Sequence, residues 1–390
     1  MGDIAAEARD LRDEMIRTRR ELHRRPEIAF EEVETAALVA ERLEAVGLQV
    51  RRQVGQTGVV GTLVGGRPGK TVLVRADMDA LPIATQLSAS YASEVPGAMH
   101  ACGHDGHTAI ALTVAKLLAR RAEELAGTVL FVFQPAEEIL AGARAMLDNG
   151  ALDGVEVDAT IGLHLINDLP VGTVHMRPGP TMAGIDAFRI VIEGRGGHAA
   201  KPHQNIDAIV AASHVVTALQ TIVSRNMDPI APTALSVTSI QGGDTYNVAP
   251  SDVELKGVLR SFDDEVEAML RERVETVTQQ VASALGAQAT VEWAYSCPVV
   301  VNDPAITRLM REVAEDCVGP EHVRTADLRM SGEDMAHWLA RNPGCYLFVG
   351  TRNEAKGFVA PHHNPSFDID ESALPIGVEV LTKGVLRALS

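Results

Sequence analysis

Nine consecutive residues, Met99–His107 (MHACGHDGH), hold three histidines, one cysteine and one aspartate immediately ahead of a helical pattern. Taken singly, a loop histidine suits solvent and a small cysteine suits a core. Together, Cys102 and His104 beside Asp105 read better as a pair of metal ligands, because thiolate sulfur and imidazole nitrogen are the donors that zinc-like ions prefer. Other donors sit where β-type runs end. Asp77-Met78-Asp79 follows the run Thr71–Arg75, Glu137-Glu138 follows Thr128–Phe133, and His164 follows Ala159–Leu163. Near the end of the chain, His362-His363 precedes Asn364-Pro365. Adjacent glutamates point in different directions, so one can bind a metal while its neighbour faces a substrate. Taken alone, Glu137-Glu138 equally suits the first turn of a helix, where carboxylates offset the helix dipole. A set of Cys, His, Glu, His and His from separate loops suits transition metals such as zinc or manganese.

The elements that must position these residues follow from hydrophobic periodicity. An amphipathic helix is expected over Ile4–Leu22, where apolar residues recur every three or four positions, and Pro26 ends it. A second helix is expected over Glu31–Val46 with Gly47 as its stop. Short strands (Leu48–Val54, Val59–Val64, Thr71–Arg75, Thr128–Phe133, Ala159–Leu163) then alternate with helices at Asp105–Arg121 and Ala136–Asn149. Such alternation predicts an α/β domain with a mainly parallel sheet, its functional loops leaving the carboxyl ends of the strands. Past the stiff stretch Arg177-Pro178-Gly179-Pro180 the order becomes strand, helix, strand, strand, helix, strand, the ferredoxin-like α+β pattern. The α/β pattern resumes with a helix over Ala305–Cys317, a strand over Cys345–Gly350 and a last helix near Ser372–Leu389. The expected organisation is an α/β domain of residues 1–182 and 296–390, interrupted by an α+β insert of residues 183–295.

Several motifs, in order along nearly the whole chain, resemble the amidohydrolase branch of the M20 metallopeptidase family. They are Leu22–Glu27 (LHRRPE), Arg75–Pro82 (RADMDALP), Met99–His107, Gln134–Glu138 (QPAEE), Gly194–His203 (GRGGHAAKPH), Ser331–Asp334 (SGED) and His363–Asp368 (HNPSFD). That branch includes hippurate hydrolases, auxin-conjugate hydrolases and N-acyl-amino-acid amidohydrolases. The resemblance implies a two-metal site held by Cys102, His104, Glu138, His164 and His363, with Glu137 as general base and Asp77 and Asp79 supporting the ligands from behind. It implies that His198 steadies the oxyanion, in its own or a partner subunit, and that Asn247 and Arg260 grip the substrate's carboxylate. The insert would serve as lid and dimerisation domain, and the substrate would be a small N-acyl amino acid. A di- or aminopeptidase of the same family is the alternative.

Composition narrows the remaining classes. The chain has 390 residues, 46% hydrophobic and 22% charged, which excludes wholesale disorder. With 35 Lys+Arg against 52 Asp+Glu, the net charge of −17 argues against a nucleic-acid binder. The strongest apolar runs, Val129–Phe133 and Ala159–Leu163, are too short for a membrane span of ~20 residues. Four cysteines do not make a disulfide framework, and the charged opening residues carry no apolar signal segment, so a cytoplasmic setting is expected. Two other readings compete: Cys102 as a nucleophile with His104 or His107 as its base, and a metal-stabilised binding protein without catalysis. The first leaves the glutamate pair without a task, and the second leaves Glu137 without one.

Overall fold

The computed structural model describes residues 3–390, which form two compact units. The larger comprises Met1–Thr181, Val300–Asp327 and Glu333–Ser390; the smaller comprises Met182–Val299 and Leu328–Gly332.

The larger unit is built on an eight-stranded sheet. Its middle strands, in spatial order Ala126–Gln134, Arg67–Asp77, Ala159–Pro170 and Gly344–Arg352, run parallel. Gln49–Val54 and Gly58–Val64 join antiparallel on one side, and Val174–Met176 and Val323–Thr325 extend the other. The four middle strands are nearly continuous apolar runs, as strands covered on both faces must be. Val72, Val74, Val129, Phe131, Ile161, Leu163, Leu347 and Val349 are buried in one core with the helices His104–Ala119 and Leu374–Leu389. The expected opening helix is divided at Leu11 into Ile4–Asp10 and Arg12–Arg24.

The smaller unit has a four-stranded antiparallel sheet in the order Ala234–Gln241, Asp252–Ser261, Gly184–Glu193, Gln288–Cys297. Helices Ala208–Asn226 and Asp264–Ala284 supply its core with Ala211, Val215, Leu219, Ile222, Leu270 and Val274. Each of these helices starts at an aspartate, Asp207 or Asp263, whose carboxylate accepts the first free backbone N–H groups. Ala208–Asn226 is long and apolar enough to span a bilayer by length and composition, a feature the short-run criterion missed. Its buried residues nevertheless recur every three or four positions, the spacing of a helix lying on a sheet.

Candidate metal centre and its surroundings

Most of the donor residues stand at or beyond the carboxyl ends of the parallel strands. Asp77 is the last residue of its strand, and Gln134 the last of the neighbouring one. His164 lies two residues past Gly162, where its strand parts from Arg75 of the adjacent strand. His104 opens the helix His104–Ala119, behind Gly103, whose φ of 92° is open to glycine at little cost. The sequence pattern places a helix over Ala136–Asn149, but the helix spans only Gly142–Asp148. Ala136 and Leu140 both take positive φ, which no helix tolerates, so Glu137 and Glu138 lie in a tight loop and not in a first helical turn. Gly142 is required there: a Cβ on it would sit 1.5 Å from the Pro135 carbonyl oxygen.

These loops bring the donors together. Ligand atoms of Cys102, His104 and His164 lie within 4.8 Å of one another, as do those of Cys102, Glu138 and His363, and those of His104, Glu137 and Glu138. Cys102 Sγ is 3.5 Å from His164 Nε2. His363 Nε2 is 3.3 Å from Glu138 Oε2, and His104 Nε2 is 3.9 Å from both Glu137 Oε2 and Glu138 Oε1. His363, not its neighbour His362, faces the cluster; His362 Nε2 donates to the Leu165 carbonyl at 2.9 Å.

The hydrogen bonds around the imidazoles settle which nitrogen is available. A carbonyl can only accept, so His104 Nδ1 donates to Asp79 O (2.9 Å) and His164 Nδ1 donates to Leu165 O (2.9 Å). The Nε2 atoms of both rings are thereby left toward the cluster. His107 is spent in both directions, because its Nε2 accepts the Leu165 N–H (2.9 Å) and its Nδ1 donates to Asp77 Oδ1 (2.6 Å). His104 Nε2 and Glu138 Oε1 are buried and have no hydrogen-bond partner among the described residues. Orphaned lone pairs are costly in a buried site, and a bound cation is what would satisfy them. The donor set therefore fits a metal centre.

Electrostatics agree. Burial lowers the proton affinity of His104, but Asp77, Asp79 and Glu138 outweigh it and raise its pKa to about 10. A field that strong favours positive charge at Nε2, whether a proton or a metal. Burial, reinforced by His107 and His362, holds His164 well below the usual range and hence neutral. Burial, followed by Glu333, Glu138 and Asp334, pushes Glu137 well above ordinary carboxyls. The Cys102 thiol is also pushed well up by burial and by Glu138, Glu137 and Asp77. A nucleophilic cysteine needs the opposite shift. The upward direction disfavours the thiol-hydrolase reading, whereas a metal would displace the thiol proton.

Beyond Asp77 and Asp79, several supporting residues were given no role from sequence. Arg75, buried, donates to Gln134 Oε1 (3.0 Å), Asp77 Oδ2 (2.7 Å), Glu333 Oε1 (2.9 Å) and Asp334 Oδ1 (2.9 Å). Asp79 Oδ2 accepts the Glu138 N–H at 3.0 Å, so this one carboxylate touches both His104 and the glutamate loop. An arginine inside an apolar strand, two residues before Asp77, was the available signal.

His198, Asn247 and Arg260 belong to the smaller unit. Gly197–His198 pairs with Val248–Ala249, and the Asn247 carbonyl accepts the Ala199 N–H at 3.0 Å, which sets Asn247 beside the His198 turn. His198 Nδ1 accepts the Ala200 N–H at 3.1 Å. Arg260 lies on the strand Asp252–Ser261 and donates to the Met330 carbonyl, which brings it to the segment Leu328–Gly332.

Comparison with known proteins adds to this geometry. The sequence profile of peptidase family M20/M25/M40 matches residues 73–387. N-acetyl-L-cysteine deacetylase of Bacillus subtilis (strain 168) is 42% identical over 366 residues, covering 93% of this chain and 85% of its own. The IAA-amino acid hydrolase ILR1-like 4 of Arabidopsis thaliana is 40% identical over 388 residues, covering 98% and 88%. The crystal structure of Bacillus subtilis YXEP, described as a dinuclear metal-binding peptidase, superposes with a TM-score of 0.85 at 36% identity, over 98% of this chain and 99% of the other.

Proposed function

We propose, from the premise that the chain belongs to peptidase family M20/M25/M40, that it hydrolyses the amide bond of N-acyl amino acids, releasing a carboxylic acid and the free amino acid. It is a metal-dependent amidohydrolase with a two-ion centre. One observation carries the reading of the reaction. A buried carboxylate of high proton affinity, Glu137, stands beside a convergent Cys/His/Glu donor set without having to be one of its ligands.

Cys102, His104, Glu138, His164 and His363 are assigned to hold the ions, with zinc, manganese, cobalt and nickel all compatible with these donors. When bound, the ions supply Lewis-acid polarisation of the amide carbonyl and a water acidified to about neutrality. Glu137 accepts the water's proton as the oxygen bonds to the carbonyl carbon. It then passes that proton to the amide nitrogen as the C–N bond breaks, so the amine leaves neutral. Asp79 orients His104, and Asp77 is assigned to orient His107. His198 is assigned to the oxyanion, and Asn247 and Arg260 to the substrate carboxylate, which a planar guanidinium can grip with two parallel hydrogen bonds. The chain is proposed to act as a homodimer, a reading supported by the edge strand Ala234–Gln241 of the smaller unit.

The test is an acid-release assay on acetyl-, benzoyl- and indole-acetyl amino acids, with protein stripped by chelator and reloaded with each ion. Stripped protein is expected to be inactive and reloaded protein active. Glu137→Gln is expected to lose about 10²–10⁴-fold in kcat while still binding both ions. Full turnover in that variant, or in stripped protein, would refute the assignment.

A further inference from the structure

The loop that carries Glu137 and Glu138 begins with a backbone conformation that alanine disfavours. Ala136 has φ 52°, in the left-handed region. For a residue with a Cβ this form is disfavoured roughly five- to thirty-fold against the right-handed one. Part of what holds it lies within the loop. The N–H groups of Ala141 and Gly142 reach the Ala136 carbonyl at 3.2 Å, and the Leu140 N–H reaches the Glu137 carbonyl at 2.7 Å. The N–H of Ala136 itself is taken by a residue far away in the chain. Glu32, wholly buried at the start of the helix Val33–Ala45, accepts it on Oε1 at 2.9 Å. Glu32 Oε2 accepts the Thr57 hydroxyl at 2.5 Å, so the carboxylate is itself anchored. Two residues further along the loop, Asp79 accepts the Glu138 N–H. The peptide bearing Glu137 is thus suspended between two carboxylates, and Glu32 belongs to none of the groups of converging ligand atoms.

We infer that Glu32 is a positioning residue for the reaction: by clamping Ala136 in the left-handed conformation it aims Glu137 at the attacking water and Glu138 at the metal centre. The inference rests on the role assigned to Glu137 above. Burial pushes the Glu32 carboxyl up, and the Thr57 hydroxyl and backbone N–H groups pull it back. Either protonation form keeps an oxygen for the Ala136 N–H, so the clamp holds regardless of its charge. A residue needed only to fill space would be replaceable by leucine with no change in turnover number.

The experiment compares Glu32→Gln, Glu32→Leu and the double variant Glu32→Leu/Ala136→Gly with the unmodified full chain, and measures Glu137→Gln alongside. Three readouts are taken: kcat and KM on one N-acyl amino acid, bound metal per chain, and amide hydrogen exchange of the segment 134–142 in metal-free protein. Glu32→Leu is expected to lower kcat at least about tenfold with KM moved less than about threefold, and to speed exchange at Ala136 at least about tenfold. Glu32→Gln is expected to stay within about threefold of the unmodified chain, since its carbonyl accepts the Ala136 N–H and its amide donates to Thr57. Glycine at 136 carries no left-handed penalty, so the double variant is expected to regain at least about threefold in kcat over Glu32→Leu. If Glu32→Leu does not fold, Thr57→Val replaces it, with a kcat loss of about threefold or more expected from the loosened carboxylate.

Unchanged kcat and exchange in Glu32→Leu (or in Thr57→Val where that stands in) would overturn the inference. So would a glutamine variant as impaired as the leucine one, or no gain from glycine. Glu137→Gln separates the two levels. Retained turnover there sinks the reading of Glu137 itself, whereas an inactive Glu137→Gln with a fully active Glu32→Leu sinks the clamp alone.

Discussion

Replacing Arg75 by methionine removes a positive charge shared by three buried carboxylates, and the structure sets the size and the pH dependence of the damage. The guanidinium touches Asp77, Glu333 and Asp334 at 2.7–2.9 Å, and burial does not discharge it, because Glu333 and Asp77 hold its pKa well above the ordinary arginine value. Removing one partner of a buried ion pair costs about 3–5 kcal/mol. At roughly 2 °C per kcal/mol for a domain of this size, Arg75→Met is expected to melt about 6–10 °C lower near pH 8. The loss is expected to shrink in acid. Burial raises Asp334 to about 7, with Glu333 adding to the rise and Arg75 opposing it. A carboxyl raised on folding favours the fold fully below its unfolded value and loses that favour as pH climbs through the folded one. Without Arg75 the folded value moves higher still. The variant therefore tolerates pH 5, where Asp334 is protonated, better than pH 8. Scanning calorimetry on metal-free protein at both pH values measures this without interference from metal affinity. A loss under 2 °C at pH 8, or the same loss at both pH values, would refute the reasoning.

Two further outcomes follow from single positions. Gly142→Ala would place a Cβ 1.5 Å from the Pro135 carbonyl, so the glutamate loop must open; kcat is expected to fall about 10²-fold or more with secondary structure by circular dichroism unchanged. In the smaller unit, burial and then the nearby Asp186 raise Glu267 to about 7, so the stability it contributes below about pH 4.5 is lost as pH rises through 7. Glu267→Gln is expected to stabilise the protein by roughly 1 kcal/mol at pH 8, allowing for its partial exposure, and by nothing at pH 5, as measured by urea unfolding.

The main strands and helices were legible because each is a periodic or continuous apolar run long enough to stand out. The strand expected at Thr71–Arg75 is Arg67–Asp77, and the helix expected at Ala305–Cys317 is Pro304–Val318. What escaped is short and held by its neighbours: Val174–Met176, Val323–Thr325 and the helix Met335–Leu339 are each five residues or fewer. Such pieces take their form from the sheet edge or core they pack on, so no local pattern announces them. The segment Leu328–Gly332 falls with the smaller unit, although the motif Ser331–Asp334 reads as continuous. The division inside that motif has no signature in residue type.

The donors that converge were legible for a different reason. Cys, His and Glu at strand ends are rare enough in kind to be noticed one by one, even though what brings them together is the sheet. The groups that hold them are common in kind, and their meaning is purely relational. Asp79 matters because it accepts from both His104 and Glu138, and His107 because its two nitrogens are consumed by Asp77 and Leu165. Most hidden is the loop at Ala136. A run of Pro, Ala, Glu, Glu before a periodic stretch carries every local mark of a helix start, and alanine is the best helix former. Two carboxylates from distant segments outbid that preference by capturing the Ala136 and Glu138 N–H groups, and they turn what would be a first helical turn into a bend. In a helix the two glutamates would follow its surface. In the bend, both stand within 3.9 Å of His104 Nε2, the geometry in which one can hold a metal while the other moves a proton.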